Sequence, residues 1–199
     1  MKAACAQFAN EIGRPDIAKA VLGNDRPDAE PNAQNSDAKA AFALAVGLEG
    51  RRADALGRLD QILAVDPSQP RALLARARLL GTTASNWNAA VSDVRRVVAD
   101  DPRNVTARLM LAELLLGRKD QELGESILRE GARITPDEPR IAARLAKLLI
   151  DRGQKDEAAQ VLRDLTLAAP ASLRAQRLRA SIDPTATDPT RVPPSPRDT

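Results

Sequence analysis

The sequence predicts an all-α protein built from repeated helix pairs, on three observations. Four prolines, Pro67, Pro102, Pro136 and Pro170, stand 35, 34 and 34 residues apart. A small residue early in each second helix keeps the same step, at Ala18, Ala55, Ala90, Gly124 and Ala158, with intervals of 37, 35, 34 and 34. Between these marks apolar residues recur at intervals of three and four, the period of one helical face. Proline lacks an amide hydrogen and biases the preceding residue away from helix, so each of the four closes a unit.

Residues 1–22 read as a degraded first pair. Ala3 to Ile12 forms its first helix, Gly13 its turn and Asp16 to Leu22 its second helix. The opening Met-Lys-Ala-Ala-Cys resembles the small residues before a bacterial lipoprotein cysteine, but no charged and apolar segment precedes it. The expectation is therefore a helix start with Cys5 packed inside. Run backwards, the repeat phase puts Met1 inside a first helix, so the chain is expected to continue a longer array. Residues 23–36, with two prolines and mostly polar side chains, read as a linker loop.

The array proper is expected over 37–182. Asp37 to Glu49 and Arg52 to Val65 form one pair around Gly50. Pro70 to Leu80 follows, with Pro70 at the N-terminus, where its missing donor does no harm. The stretch from Gly81 to Asn86 holds the one extra residue of the 35-step, and Trp87 to Ala99 is the second helix. Asn104 to Leu116 and Asp120 to Ile134 make the next pair, the latter with Gly124 and Gly131 inside it for close helix contact. The clearest unit runs from Asp137 to Pro170. Ala142, Leu145, Ala146 and Leu149 draw one stripe, Gly153 is the turn, and Ala158, Val161, Leu162 and Leu165 draw the second. Leu173 to Ile182 is a terminal capping helix with Arg174, Gln176, Arg177 and Arg179 on its polar side. Residues 183–199, rich in proline and poor in large aliphatic side chains, are expected to be a disordered tail.

A helix pair of about 34 residues is the tetratricopeptide period. The residues that carry the match are Leu145-Ala146, Leu149, Gly153, Asp156-Glu157-Ala158, Leu162 and Pro170, then Phe42-Ala43, Val46, Gly50, Asp54-Ala55, Leu59 and Pro67. On these the chain resembles the tetratricopeptide repeat (TPR) family over roughly residues 1–182. The family's aromatic at the start of the second helix survives once, as Trp87, which the resemblance places in helix packing. The family's first-helix tryptophan and tyrosine are replaced by leucine, valine and alanine. Arg76 stands where the family usually has leucine. The resemblance implies a right-handed α-α superhelix, a TPR solenoid, whose first helices line a concave face that takes protein segments.

Composition narrows the chemistry. The 199 residues contain no histidine and one cysteine, so a Ser-His or Cys-His nucleophile pair and a zinc site are not expected. No glycine-rich phosphate loop is present, and no catalytic residue, cofactor or metal is assigned. Asp100-Asp101 and Asp156-Glu157 read as helix ends, the second pair favoured by the helix dipole. The net charge of +3 and 2% aromatic content disfavour nucleic acid. No apolar run approaches a membrane span. Compartment and oligomeric state are not fixed by the sequence: it reads as cytoplasmic as it stands, and as periplasmic or envelope-associated if the chain is part of a longer exported protein.

The predicted function is a scaffold that binds a protein or peptide in the groove of the array. From the alanine- and arginine-rich composition, a narrower expectation is a bacterial cell-envelope or export assembly. The alternative is nucleic-acid or anionic-surface binding through the basic C-terminal helix. In the family, partner residues lie on first helices, away from the stripe that packs on the second. That row here reads Arg71, Leu74 and Arg78, then Thr106, Leu109 and Glu113, then Arg140, Ala143 and Lys147. An apolar floor flanked by guanidinium groups suits a segment with apolar anchors and acidic flanks.

Overall fold

The computed structural model describes residues 2–22 and 35–182. Of the linker expected over 23–36, residues 23–34 lie outside the described residues, as does the tail expected over 183–199, while Asn35 and Ser36 belong to the start of a helix. Among the described residues there is no strand. The chain divides into two compact units, Met1–Leu114 and Leu115–Thr199.

The first unit contains α1 (Lys2–Glu11), α2 (Pro15–Leu22), α3 (Ser36–Leu48), α4 (Arg52–Val65), α5 (Pro70–Leu80), a 3-10 turn at Ala84–Asn86, α6 (Trp87–Asp100) and most of α7 (Val105–Gly117). The boundary between the units falls inside α7. The second unit adds α8 (Gln121–Ile134), α9 (Pro139–Asp151), α10 (Lys155–Ala168) and α11 (Leu173–Ile182). Within each unit helices pack on their chain neighbours, α3 on α4 and α5, α5 on α6, α9 on α10 and α10 on α11. Asn35 caps α3 by accepting from the Ala38 amide at 3.1 Å, so that helix starts one residue before the expected Asp37. Asn104 and Asp120, expected as first helical residues, are instead caps of α7 and α8, accepting from Ala107 and Leu123.

The four closing prolines act alike. Before each lies a cap residue, Asp66, Asp101, Thr135 or Ala169, with φ between −129 and −133. The proline ring pushes that residue out of the helical region, and its amide still closes the last helical bond at 2.9–3.0 Å. The five small residues are all buried: Ala18, Ala55, Ala90 and Ala158 expose nothing, and Gly124 is buried as well. Gly131 is buried too. Ala158→Leu is therefore expected to cost ~1–3 kcal/mol by overpacking. Arg163→Leu, at an exposed position on the same helix, should stay within about 0.5 kcal/mol of wild type. Chemical denaturation of the two variants separates these outcomes, and equal effects would show the register to be wrong.

The turns inside pairs repeat one hydrogen-bond pattern. At Gly153 (φ +79) the glycine amide donates to Ile150 and the next amide, Gln154, to Leu149, both at 2.8 Å. This satisfies two carbonyls of the helix end, and the left-handed residue is what permits it. Gly13 and Gly50 close α1 and α3 in the same way. At the end of α7 a lysine takes that role. Lys119 has φ 63, its amide donates to Leu116 and Asp120 donates to Leu115. A side chain in that region is strained by roughly 1 kcal/mol, so Lys119→Gly should raise stability by up to that amount. A drop in the denaturation midpoint would contradict this.

Arg76 is accommodated by charge. Its Nε and Nη2 donate to both oxygens of Asp93 at 2.8 Å, and its Nη1 donates to Asp60 at 2.8 Å. One guanidinium thus ties α5 to α6 and α4. The Asp93 hydrogen bonds, outweighing burial, hold the Arg76 guanidinium above its ordinary value, so it stays charged at any accessible pH. Trp87 is half-buried, as its packing role requires, and its indole N–H donates to the Leu114 carbonyl at 3.1 Å. That carbonyl lies in the last turn of α7, where helix carbonyls run short of partners. Cys5 departs from expectation: it is exposed. Among the described side chains of α1, the buried ones are Ala6, Ala9 and Asn10. Exposed ion pairs decorate the second unit: Arg129 joins Glu125 and Glu157, and Arg152 also meets Glu125. Such surface pairs contribute little to stability.

Candidate partner-binding site

Four first helices of the first unit, α1, α3, α5 and α7, line one depression. Helix α5 contributes Arg71, Leu74, Ala75 and Arg78. These positions share a face because residues three and four apart stack on a helix. Helix α3 supplies Ala40, Ala41 and Leu44, and α7 supplies Thr106 and Met110. Asn10 and Glu11 close it from the end of α1. The floor is apolar, built from Leu44, Leu74, Met110 and alanines, and the polar groups stand around it. About 480 Å³ of space, open solvent included, lies within.

The two guanidinium groups differ in their commitments. Arg71 Nε pairs with Asp37 at 3.2 Å, while its buried Nη1 has no partner among the described residues. Among the described residues no carboxylate lies within ion-pair distance of Arg78. Its Nη2 donates to the Asn10 carbonyl at 3.4 Å. Asn10 itself is fully buried, and its Nδ2 donates to the Ala41 carbonyl at 3.0 Å.

Of the row expected from the sequence, the structure brings Arg71, Leu74, Arg78 and Thr106 into this one depression. Leu109 and Glu113 do not line it: Leu109 is half-buried, Glu113 is exposed, and α7 presents Met110 instead. Arg140, Ala143 and Lys147 lie on α9, in the second unit. Arg140 folds back on Glu138, the cap of its own helix, at 3.1 Å, and Lys147 pairs with Asp151 at 3.1 Å. Burial pushes the Glu138 carboxyl up, but the hydrogen bonds from Arg140 outweigh it and hold the group below its ordinary value. Asn10, Leu44 and Met110 were not expected. For Met110 the signal was present, since it stands four residues after Thr106.

The model of one family, described as Tetratricopeptide repeat, matches residues 82–143 and 124–182, together just over half of the chain. The chain belongs to the tetratricopeptide repeat family. TPR folds generally serve as protein–protein interaction scaffolds. Solved TPR structures resemble this one in fold. One is a thermophilic TPR protein of Thermus thermophilus, at 19% identity and TM-score 0.65, covering 91% of this chain and 96% of that one. A second is PilF of Pseudomonas aeruginosa, at 18% identity and TM-score 0.61, covering 92% and 82%. A third is MamA of Desulfovibrio magneticus, at 18% identity and TM-score 0.56, covering 92% and 97%. No curated protein sequence matches the chain. Among the described residues, no helix of this TPR protein is long and apolar enough to cross a membrane.

Proposed function

We propose that this TPR protein is a scaffold whose first unit holds a segment of a partner protein in the depression lined by α1, α3, α5 and α7. The observation that supports this is the pairing of an apolar floor, Leu44, Leu74 and Met110, with a guanidinium, Arg78, that no carboxylate among the described residues engages. Apolar anchors of the partner fill the floor, and acidic residues beside them meet Arg78 and Arg71. A charged fork of this kind recognises carboxylates through paired, charge-assisted hydrogen bonds. The row on α9, with Arg140, Ala143 and Lys147, is a separate contact face of the second unit. Its cations must first leave Glu138 and Asp151, so it contributes less.

The test is Arg78→Glu, with Arg163→Glu as a control for the same charge change at an exposed site on α10. Affinity capture with the intact chain, followed by mass spectrometry, identifies what binds the wild type. Those partners should bind the Arg78 variant about tenfold or more weakly, a loss of the size expected for a desolvated charge pair. Helicity and melting temperature should stay close to wild type, and the Arg163 control should bind normally. Unchanged capture by the Arg78 variant would refute the assignment.

A further inference from the structure

The fourth proline corner differs from the other three. All four share one backbone. The amide three residues after the cap donates to the cap carbonyl, Gln69 to Asp66, Asn104 to Asp101, Glu138 to Thr135 and Ser172 to Ala169, at 3.0–3.2 Å. The side chain of that donor residue then caps the next helix in each case. The first three corners carry charge beside their prolines: Asp66, then Asp100-Asp101 with Arg103, then Asp137-Glu138. Asp66 and Asp101 also brace their turns by accepting from the Ser68 and Arg103 amides. The fourth corner reads Leu167-Ala168-Ala169-Pro170-Ala171-Ser172-Leu173 and carries no charge. Leu167 and Leu173 are 79% and 67% exposed, and Ala168, Pro170 and Ala171 are exposed between them. A backbone that accepts acidic residues at the equivalent places does not require this composition.

We propose that this corner docks on an anionic lipid bilayer, with Leu167 and Leu173 entering the headgroup layer and Arg174 and Arg177 meeting lipid phosphates. The charges decide the occupant. Between Asp164 and the end of the described residues at 182 there is no Asp or Glu, while α11 carries Arg174, Arg177 and Arg179. Arg174 and Arg177 are exposed, and neither has an ion-pair partner among the described residues. Glu138, which feels the charge of Arg174, is already engaged by Arg140. Leu173 and Arg177 stand four apart, so they share one side of α11. An uncharged apolar tip beside unpaired guanidinium groups matches a surface that is anionic at the top and apolar beneath. Arginine also engages phosphate through two parallel hydrogen bonds. A nucleic acid fits less well, because the aromatic residues that could stack on bases, Phe8, Phe42 and Trp87, all lie in the first unit. A second copy of the chain, joined through the same corner, would bring like charges together. The site belongs to the second unit and is independent of the partner depression in the first.

The probe is vesicles of phosphatidylglycerol and phosphatidylcholine in equal parts, sedimented with the full chain at low salt. The chain should sediment with them and not with vesicles of phosphatidylcholine alone, and added salt should release it by screening the surface attraction. Leu167→Ser with Leu173→Ser should weaken binding about tenfold or more by removing the inserted side chains. Arg174→Glu with Arg177→Glu should weaken it at least as much. Ala171→Asp, which copies Pro136-Asp137 onto the same backbone, places a carboxylate at the tip and should act in the same direction. It decides alone if either double variant loses its helicity. Two controls fix the location. Val65→Ser, at an apolar position 89% exposed beside Asp66, should bind like wild type. Arg95→Glu with Arg96→Glu, the same charge change at exposed positions of α6, should stay close to it. Failure to bind the anionic vesicles, or binding that Ala171→Asp leaves unchanged, would overturn the proposal. Sedimentation velocity without lipid tests the other occupant. A concentration-dependent dimer that the leucine double variant abolishes would assign the corner to a second copy and overturn the lipid reading.

Discussion

Arg76→Leu should destabilise the first unit by about 3 kcal/mol, even though leucine is the residue the family usually places there. The reason lies in what the substitution leaves behind. Asp93 is 8% exposed and has both carboxylate oxygens on Arg76. Removing one member of a buried pair strands the other charge, at a cost of about 3–5 kcal/mol. The lower end applies because Arg76 keeps some contact with solvent. Asp60, the other partner, is largely exposed and loses little. Replacing both members, Arg76→Leu with Asp93→Leu, should recover most of the loss, since an apolar pair of similar volume commonly does as well as a buried ion pair. Urea denaturation of wild type, single and double variants reads this directly. Equal destabilisation of the single and double variants would mean that packing, not charge, sets the cost.

Leu149→Ala should cost about 2–5 kcal/mol, the range for removing a large buried aliphatic side chain. Leu149 exposes nothing, and it sits beside Leu145, Ala146 and Ile141, all 2% exposed or less. Its carbonyl also accepts the Gln154 amide that closes the turn at Gly153. Helices α9 and α10 meet here, so a cavity opens between a helix pair rather than at an edge. Leu167→Ala, at a position 79% exposed on α10, should stay within about 0.5 kcal/mol of wild type. Comparable losses at the two positions would mean that α10 is turned about its axis relative to α9.

Most of the helix boundaries were legible because their signals are local. A proline acts on the residue before it, a glycine on its own φ, and both act at the same place in every pair. The α7–α8 turn was less legible, because Lys119 takes the left-handed conformation and a charged side chain gives no sign of it. The candidate site was readable on α5, where Arg71, Leu74 and Arg78 stand out against the packing stripe. It was not readable on α3. That helix is apolar nearly all round, with Ala40 to Val46 entirely buried, so its sequence has no contrast to show which side meets α4 and which lines the depression. On α7, Leu109 and Met110 are adjacent and both apolar, so pattern alone could not choose between them. Asn10 was hidden for another reason: a polar residue next to Glu11 in an alanine-rich helix reads as solvent-facing, and only the packed structure shows it buried.

One connection does not follow the common turn. Between α5 and α6 the backbone at Gly81 stays right-handed, and Thr82 and Thr83 cap the Leu79 and Leu80 carbonyls with their hydroxyls. Arg52, from the start of α4, donates to both hydroxyls. This is the connection that carries the thirty-fifth residue of its unit. In the other turns inside pairs, at Gly13, Gly50, Lys119 and Gly153, main-chain bonds at a left-handed residue set the spacing. Here side chains hold the joint, and side chains have slack. The segment works as an expansion joint: it takes up a length difference locally, so that helix α6 still enters in phase and the small residue Ala90 still arrives at the seam.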